Sequence, residues 1–312
     1  METYLIVRLH GLIQHLLSRE DYERLLKGRP FRELPEYSHI ENENSLEEVL
    51  AKVDDVLIKR LNFLMGLQSR YSSFITAFGD RLELENIKVK LRQLYGRRSE
   101  AGIYTQYVHF TPLDKLMEVD SEEELWTSLQ NTPYHTAAST EEILKESLEF
   151  KEAYLDSCYY TYIKSVLPKN ERKRLGRLLD LEGLIVSAYW MLVFNKDRTR
   201  ELIEEKLRGF KPNFIKVEEL NPRNICSLLK FNWSFAENLV KRGEISKLMK
   251  KLRSIHLRLV REEAKRACLS SLFLYYYLLL IKCERDNLHR IVLGRAMGLK
   301  REKIRQTLLF QL

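Results

Sequence analysis

One short pattern recurs at long range in this chain: an acid, two intervening residues, then an amide. It stands as Glu83-Leu84-Glu85-Asn86-Ile87 and again as Glu284-Arg285-Asp286-Asn287-Leu288. Between them, Asp180-Leu181-Glu182-Gly183-Leu184 keeps the acid and the apolar neighbours but carries glycine at the amide position. The copies are spaced by about 100 residues, and self-similarity at a fixed period marks a chain assembled from repeated units. Residues three apart share a helix face, so acid and Asn project together. Each copy follows an apolar stretch and is read as opening a helix, where an early acid suits the positive end of the dipole. The amide can satisfy backbone groups left open where helices cross or break. The repeat argues for architecture before chemistry.

Composition supports helices. Of 312 residues, 45% are hydrophobic, and only 12 are Gly and 7 Pro. That is enough apolar material for a large core and few of the turn-formers that many-stranded folds require. The formal charge is +8, from 52 basic and 44 acidic residues largely interleaved along the chain. Such a balance permits an anionic partner without selecting one. Cys158, Cys226, Cys268 and Cys283 are widely spaced with no C-x-x-C pair, which predicts reduced, mostly buried thiols and no metal site. No export signal is expected at the start, since Arg8, His10, Gln14 and His15 interrupt the apolar opening. The most apolar run, Ala267 to Ile281, would span roughly 22 Å as a helix, short of a bilayer core of about 30 Å.

In chain order, apolar spacing predicts a helix from Thr3 to Leu17, then a short one over Glu20 to Leu26 capped by Ser18. A long helix is expected from Leu46 to Phe78, broken by Gly79 before the first acid-amide copy. Ser121 should cap another short helix, and Thr140 a longer one running towards Val166. The second copy lies on a helix expected from Arg177 to Phe194, apolar almost all round and hence buried. Asn221 and Pro222 read as N-cap and first helical residue. A helix is then expected from Ser234 to Lys265, followed by the apolar run, the third copy, and a last helix over Leu299 to Leu312.

Catalytic signatures are absent: there is no phosphate-binding glycine loop, nucleophile elbow or zinc-binding H-E-x-x-H. No catalytic, cofactor-binding or metal-ligating residue is therefore assigned. The acids Asp54-Asp55, Glu122 to Glu124 and Glu141-Glu142 read as solvated helix charges. The basic clusters Lys169 to Arg177 and Lys241 to Arg253 lack the interleaved aromatics that stack nucleic-acid bases. They read as solvated helix faces, with an anionic protein or lipid surface as the functional alternative.

These features together resemble the C-type stalk family of archaeal-type (V/A-type) ATP synthases, the counterpart of the d-type component of vacuolar (V-type) ATPases. The resemblance is carried by Gly79-Asp80 through Glu83, Asn86, Ile87 and Leu91; by Asp180, Glu182 and Leu184; and by Glu284, Asn287, Leu288, Ile291, Gly294 and Gly298. Lys303-Ile304-Arg305 and the phrase from Leu129 to Thr132-Pro133-Tyr134 add to it. Gly183 departs from the usual Asn, so the polar contact of the second copy is left open. The resemblance implies an all-α fold of three similar helical domains arranged as a pseudo-threefold funnel. It implies a non-catalytic rotor part without nucleotide or cofactor, peripheral on the cytoplasmic face of the membrane. Its partners would be the central shaft subunits (D and F type) and the proteolipid c-ring. Competing classes are a helical adaptor of another complex and a basic nucleic-acid-associated protein, although no nucleic acid is expected.

Domain limits follow the period: 1–135, 136–235 and 236–312. The short capped-helix phrase after the first two copies has a counterpart at Ser18-Arg19-Glu20-Asp21-Tyr22. Residues 1–45 are therefore expected to complete the third domain, placing residues 15–35 beside the Glu284 helix.

Overall fold

A computed structural model describes residues 2–41, 44–96, 104–135, 139–193, 205–212, 214 and 219–310. Among the described residues the regular structure is entirely helical. The opening helices are α1 Glu2–Leu12, α2 Arg19–Leu26, α3 Leu46–Gly66 and α4 Ser72–Leu94. Then come α5 Leu113–Glu118, α6 Glu122–Leu129, α7 Thr140–Leu144, α8 Leu148–Ser165 and α9 Leu175–Val193. The last are α10 Pro222–Leu228, α11 Trp233–Lys241, α12 Ile245–Arg266, α13 Ser271–Ala296 and α14 Arg301–Thr307.

Several helix limits differ from expectation, each for a local reason. The first helix gives way to a 3-10 turn at Ile13–His15. The break expected at Gly79 lies instead between α3 and α4, where Gln68 adopts φ 44° and the Ser69 hydroxyl accepts the Tyr71 N–H at 3.2 Å. Gly79 sits inside α4, where a Cβ would lie 2.8 Å from the Tyr107 hydroxyl. Its glycine serves close packing, not a turn. The helix expected from Thr140 to Val166 is two, capped separately by Ser139 and Ser147, whose hydroxyls accept from Glu142 and Phe150. The one expected from Ser234 to Lys265 is also two, parted at Gly243 with φ 70°. Asn221 caps α10 as expected, accepting the Asn224 N–H at 2.8 Å. The last helix, expected over Leu299 to Leu312, is the shorter α14, which starts at Arg301 and stops at Thr307 where Leu308 turns extended. Phe194, the predicted end of α9, and Leu312 lie outside the described residues.

The chain divides into two compact units. One contains Met1–Thr76 with Leu257–Leu312, and the other Ala77–His256. In the first, α3 packs along α13, whose 26 residues carry the apolar run from Ser271 onward and the third acid-amide copy on one uninterrupted helix, Ala267 to Ser270 forming the turn before it. Tyr275, Tyr277, Leu274, Leu278 and Leu280 are each at most 1% exposed, so the run is core. No helix among the described residues is long and apolar enough to cross a membrane. In the second unit α8 and α9 pack together around Tyr154, Tyr159, Tyr160, Leu179 and Leu184. Two of the four cysteines depart from the buried expectation: Cys268 is exposed and Cys283 half-buried.

Candidate functional site

The acid-amide copies do not open helices. Glu83 and Asn86 lie midway along α4, and Glu284 and Asn287 midway along α13, all at most 2% exposed. A buried carboxylate at mid-helix gains nothing from the dipole, so its charge must be met by specific donors. Each copy supplies them differently.

In the second unit, the Asn86 Nδ2 donates to the Thr105 carbonyl at 3.0 Å, and its Oδ1 accepts the Thr105 N–H at 2.7 Å. One side chain thus satisfies both backbone groups of one loop residue, as a neighbouring strand would. Glu83 holds the next turn: one oxygen accepts the N–H groups of His109, Phe110 and Thr111 at 3.1, 2.8 and 2.7 Å. The other accepts the Tyr134 hydroxyl at 2.9 Å, and Tyr134 also donates to the Asp80 carbonyl. Asp80, one turn earlier, accepts from the Tyr107 and Tyr162 hydroxyls at 2.9 Å, with His109 Nδ1 3.0 Å away. Burial lifts its carboxyl above the ordinary value, partly offset by His109 and the hydroxyls.

The first unit repeats the device. Asn287 donates to the Leu309 carbonyl at 2.6 Å and accepts its N–H at 2.8 Å. Glu284 accepts the Leu17 N–H and the Tyr37 hydroxyl, each at 2.6 Å. Here a cation completes the site: Arg60 of α3 donates to Glu284 at 2.7 Å and grips Glu36 through two further nitrogens. The chain's start therefore lies against α13, with Arg301 of α14 also reaching Glu23 of α2 at 3.3 Å.

The second copy departs as its glycine requires. At Gly183 the ring of Tyr160 stands 3.5 Å from where a Cβ would be, so this position packs against an aromatic face where the other copies carry an amide. The loop it would have held is held from α8 instead. Ser157 accepts the Gly209 N–H at 2.9 Å, and Lys164 donates to the Gly209 carbonyl at 2.9 Å while pairing with Asp180 at the same distance. Again both backbone groups of one residue are met, by two side chains in place of one. The approach is so close that a Cβ on Gly209 would overlap the Ser157 carbonyl oxygen.

Sequence reasoning named the six motif residues but missed their partners: Tyr107 for Asp80, Arg60 and Tyr37 for Glu284, and Ser157, Lys164 and Gly209 for the second copy. Tyr134 stood in a recognised phrase without a role. Their signal is weak, since each lies 16 to 247 positions from the group it meets. Asp54 is a correction: expected as a solvated helix charge, it is 3% exposed and clamped by Arg285 Nε and His289 Nε2, both at 2.7 Å. Burial alone would raise its carboxyl, but the His289 hydrogen bond and the Arg285 charge hold it below the ordinary value. Glu122 likewise is paired, with the buried Lys151 and the Trp126 indole.

Among the described residues no group of three or more His, Cys, Asp or Glu is arranged to hold a metal ion. Fold and site together define a helical framework protein, whose repeated polar side chains are committed to fixing loops on helices. The chain belongs to the ATP synthase (C/AC39) subunit family, whose model matches residues 5–307. It is thus related to a component of V/A-type ATP synthases, complexes whose other subunits are its partners. No curated protein matches the chain.

Proposed function

We propose that this protein is the non-catalytic central-stalk component of a V/A-type ATP synthase, a socket joining the rotating shaft to the proteolipid c-ring. The observation that carries the reading is the threefold use of one device: a loop residue whose backbone N–H and C=O are both held by side chains, at Thr105, Gly209 and Leu309, all of them buried except the half-buried Lys164 at Gly209. A part that transmits torque must resist shear without doing chemistry, and loops pinned at both polar groups provide that stiffness.

On this reading the chain forms three similar helical domains, 1–135, 136–235 and 236–312, with residues 1–45 completing the third around a funnel. Its partners are the D- and F-type shaft subunits on one side and the c-ring on the other, at the cytoplasmic face of the membrane. The net charge of +8 assists docking on anionic surfaces. Glu83, Asn86, Asp180, Glu284 and Asn287 act structurally, by positioning the loops that each domain presents, and Gly183 by packing against the Tyr160 ring. Reconstitution with purified shaft subunits and detergent-solubilised ring tests it. The expected result is a stable, salt-sensitive complex with the shaft, a second contact with the ring, and no ATP hydrolysis by the isolated chain. A protein that ignores both and binds an oligonucleotide tightly at physiological salt overturns the reading.

A further inference from the structure

In the first unit, α1 and α3 border a half-open cavity of about 370 Å³, with the buried Tyr277 of α13 in its wall. That volume is within the range of sites that accept a ligand-sized group, roughly 300–1,000 Å³. Its apolar wall includes Val56, Phe63 and Leu12, and its cations include Arg8, Lys59 and Arg60. Arg60 is already committed to Glu36, the acid in the lining, and to Glu284. Arg8 and Lys59 are different: both are exposed, and among the described residues neither takes part in an ion pair. The Arg8 guanidinium instead lies 5.8 Å from the Phe63 ring centroid, which orients the charge without neutralising it.

Exposed apolar side chains flank the cavity on both helices. On that helix Tyr4 and Val7 are 55% and 54% exposed, one turn before Arg8 and Gly11. Phe63 is 41% exposed at the α3 side. A Cβ added at Gly11 would meet nothing within 4 Å, so backbone is bare there. An apolar strip beside two uncompensated cations fits an extended or helical polypeptide carrying a carboxylate beside a large apolar side chain.

We propose that this groove between α1 and α3 receives an acidic, apolar segment of a shaft subunit, with Arg8 and Lys59 meeting the carboxylate and Phe63, Val56 and Leu12 the apolar side chain. The inference rests on the central-stalk reading for the identity of the partner. Charge complementarity selects the segment, because the two cations would repel a basic one and an uncharged one would leave them unpaired.

The test measures binding of purified shaft subunits to the full chain and to three variants. Arg8→Glu with Lys59→Glu is expected to weaken binding by about tenfold or more and to flatten its salt dependence, while the melting temperature stays unchanged because both side chains are exposed. Arg8→Lys with Lys59→Arg should keep most of the affinity. Gly11→Phe, which fills the open strip, should weaken binding although the helix loses a glycine. In the assembled complex, p-benzoylphenylalanine in place of Tyr4 should crosslink to a shaft peptide containing Asp or Glu next to an apolar residue. Binding within about twofold of wild type for the charge reversal, or a crosslink only to lipid or to a basic peptide, overturns the groove and leaves the stalk reading standing. Failure of the unmodified chain to bind either shaft or ring overturns both.

Discussion

Asn287 holds Leu309 by both of its backbone polar groups, donating to the carbonyl at 2.6 Å and accepting the N–H at 2.8 Å. Asn86 holds Thr105 in the same way, and in each unit the grip is buried. A loop fixed at two points cannot slide along its helix without exposing two unsatisfied groups.

Replacement of Asn86 or Asn287 by Leu should therefore destabilise the protein by about 1–3 kcal/mol for the groups left unpaired. Chemical denaturation of both variants measures it. Unchanged unfolding midpoints in both would mean that the amides contribute no net stability.

The second copy yields an opposite pair of expectations. Gly183→Ala should be tolerated and stabilise α9 by about 0.5–1 kcal/mol, because Tyr160 lies at ordinary contact distance from the added Cβ. Gly183→Asn, which restores the motif of the other copies, should destabilise, since it buries a polar amide against the Tyr160 ring while Gly209, the residue it would hold, is already satisfied. Gly209→Ala should be the most damaging of the three, with little folded protein recovered. Thermal melts that rank Asn above Ala at position 183 would show that the amide device was lost by chance, not displaced.

Asp54 and Asp80 predict opposite pH responses. Asp54 titrates below the ordinary 3.8 in the folded chain, so its stabilisation is present above that value and is lost as pH falls through the depressed one. The stability advantage of wild type over Asp54→Asn should shrink on acidification below about 4. Asp80 is raised, so its ionisation costs stability as pH climbs from 3.8 through the raised folded value. The difference between wild type and Asp80→Asn should move against wild type over that window. Urea titrations at stepped pH distinguish them; parallel curves for both variants would contradict the assigned environments.

Arg60 and Glu284 form a buried pair, 11% and 2% exposed at the side chain. Arg60→Met should cost about 3–5 kcal/mol, because the Glu284 charge is left with only neutral donors from Leu17 and Tyr37. Adding Glu284→Gln should restore part of the loss. A double variant no more stable than Arg60→Met would show that the two residues are not coupled.

The sequence alone determined what is local or periodic. Capping residues and short spacings placed the starts of α2, α6 and α10 at Ser18, Ser121 and Asn221, since a hydroxyl or amide meets an N–H only three residues away. Period and apolar content determined an all-helical chain carrying a repeated acid-amide motif, and the whole-chain resemblance identified its family. Tertiary structure decided where those motif residues stand and whom they meet. Nothing near Glu284 in sequence announces Tyr37 or Arg60, and nothing near Asp54 announces Arg285, because burial of a charge is set by which helix packs over it. The break between α3 and α4 escaped for the same kind of reason: Gly79 has the composition of a helix end, but the Tyr107 hydroxyl packed against it makes that glycine a contact surface. Gly183 shows the limit most plainly, for its missing amide is replaced by Ser157 and Lys164 on another helix, an exchange that only packing in three dimensions makes possible.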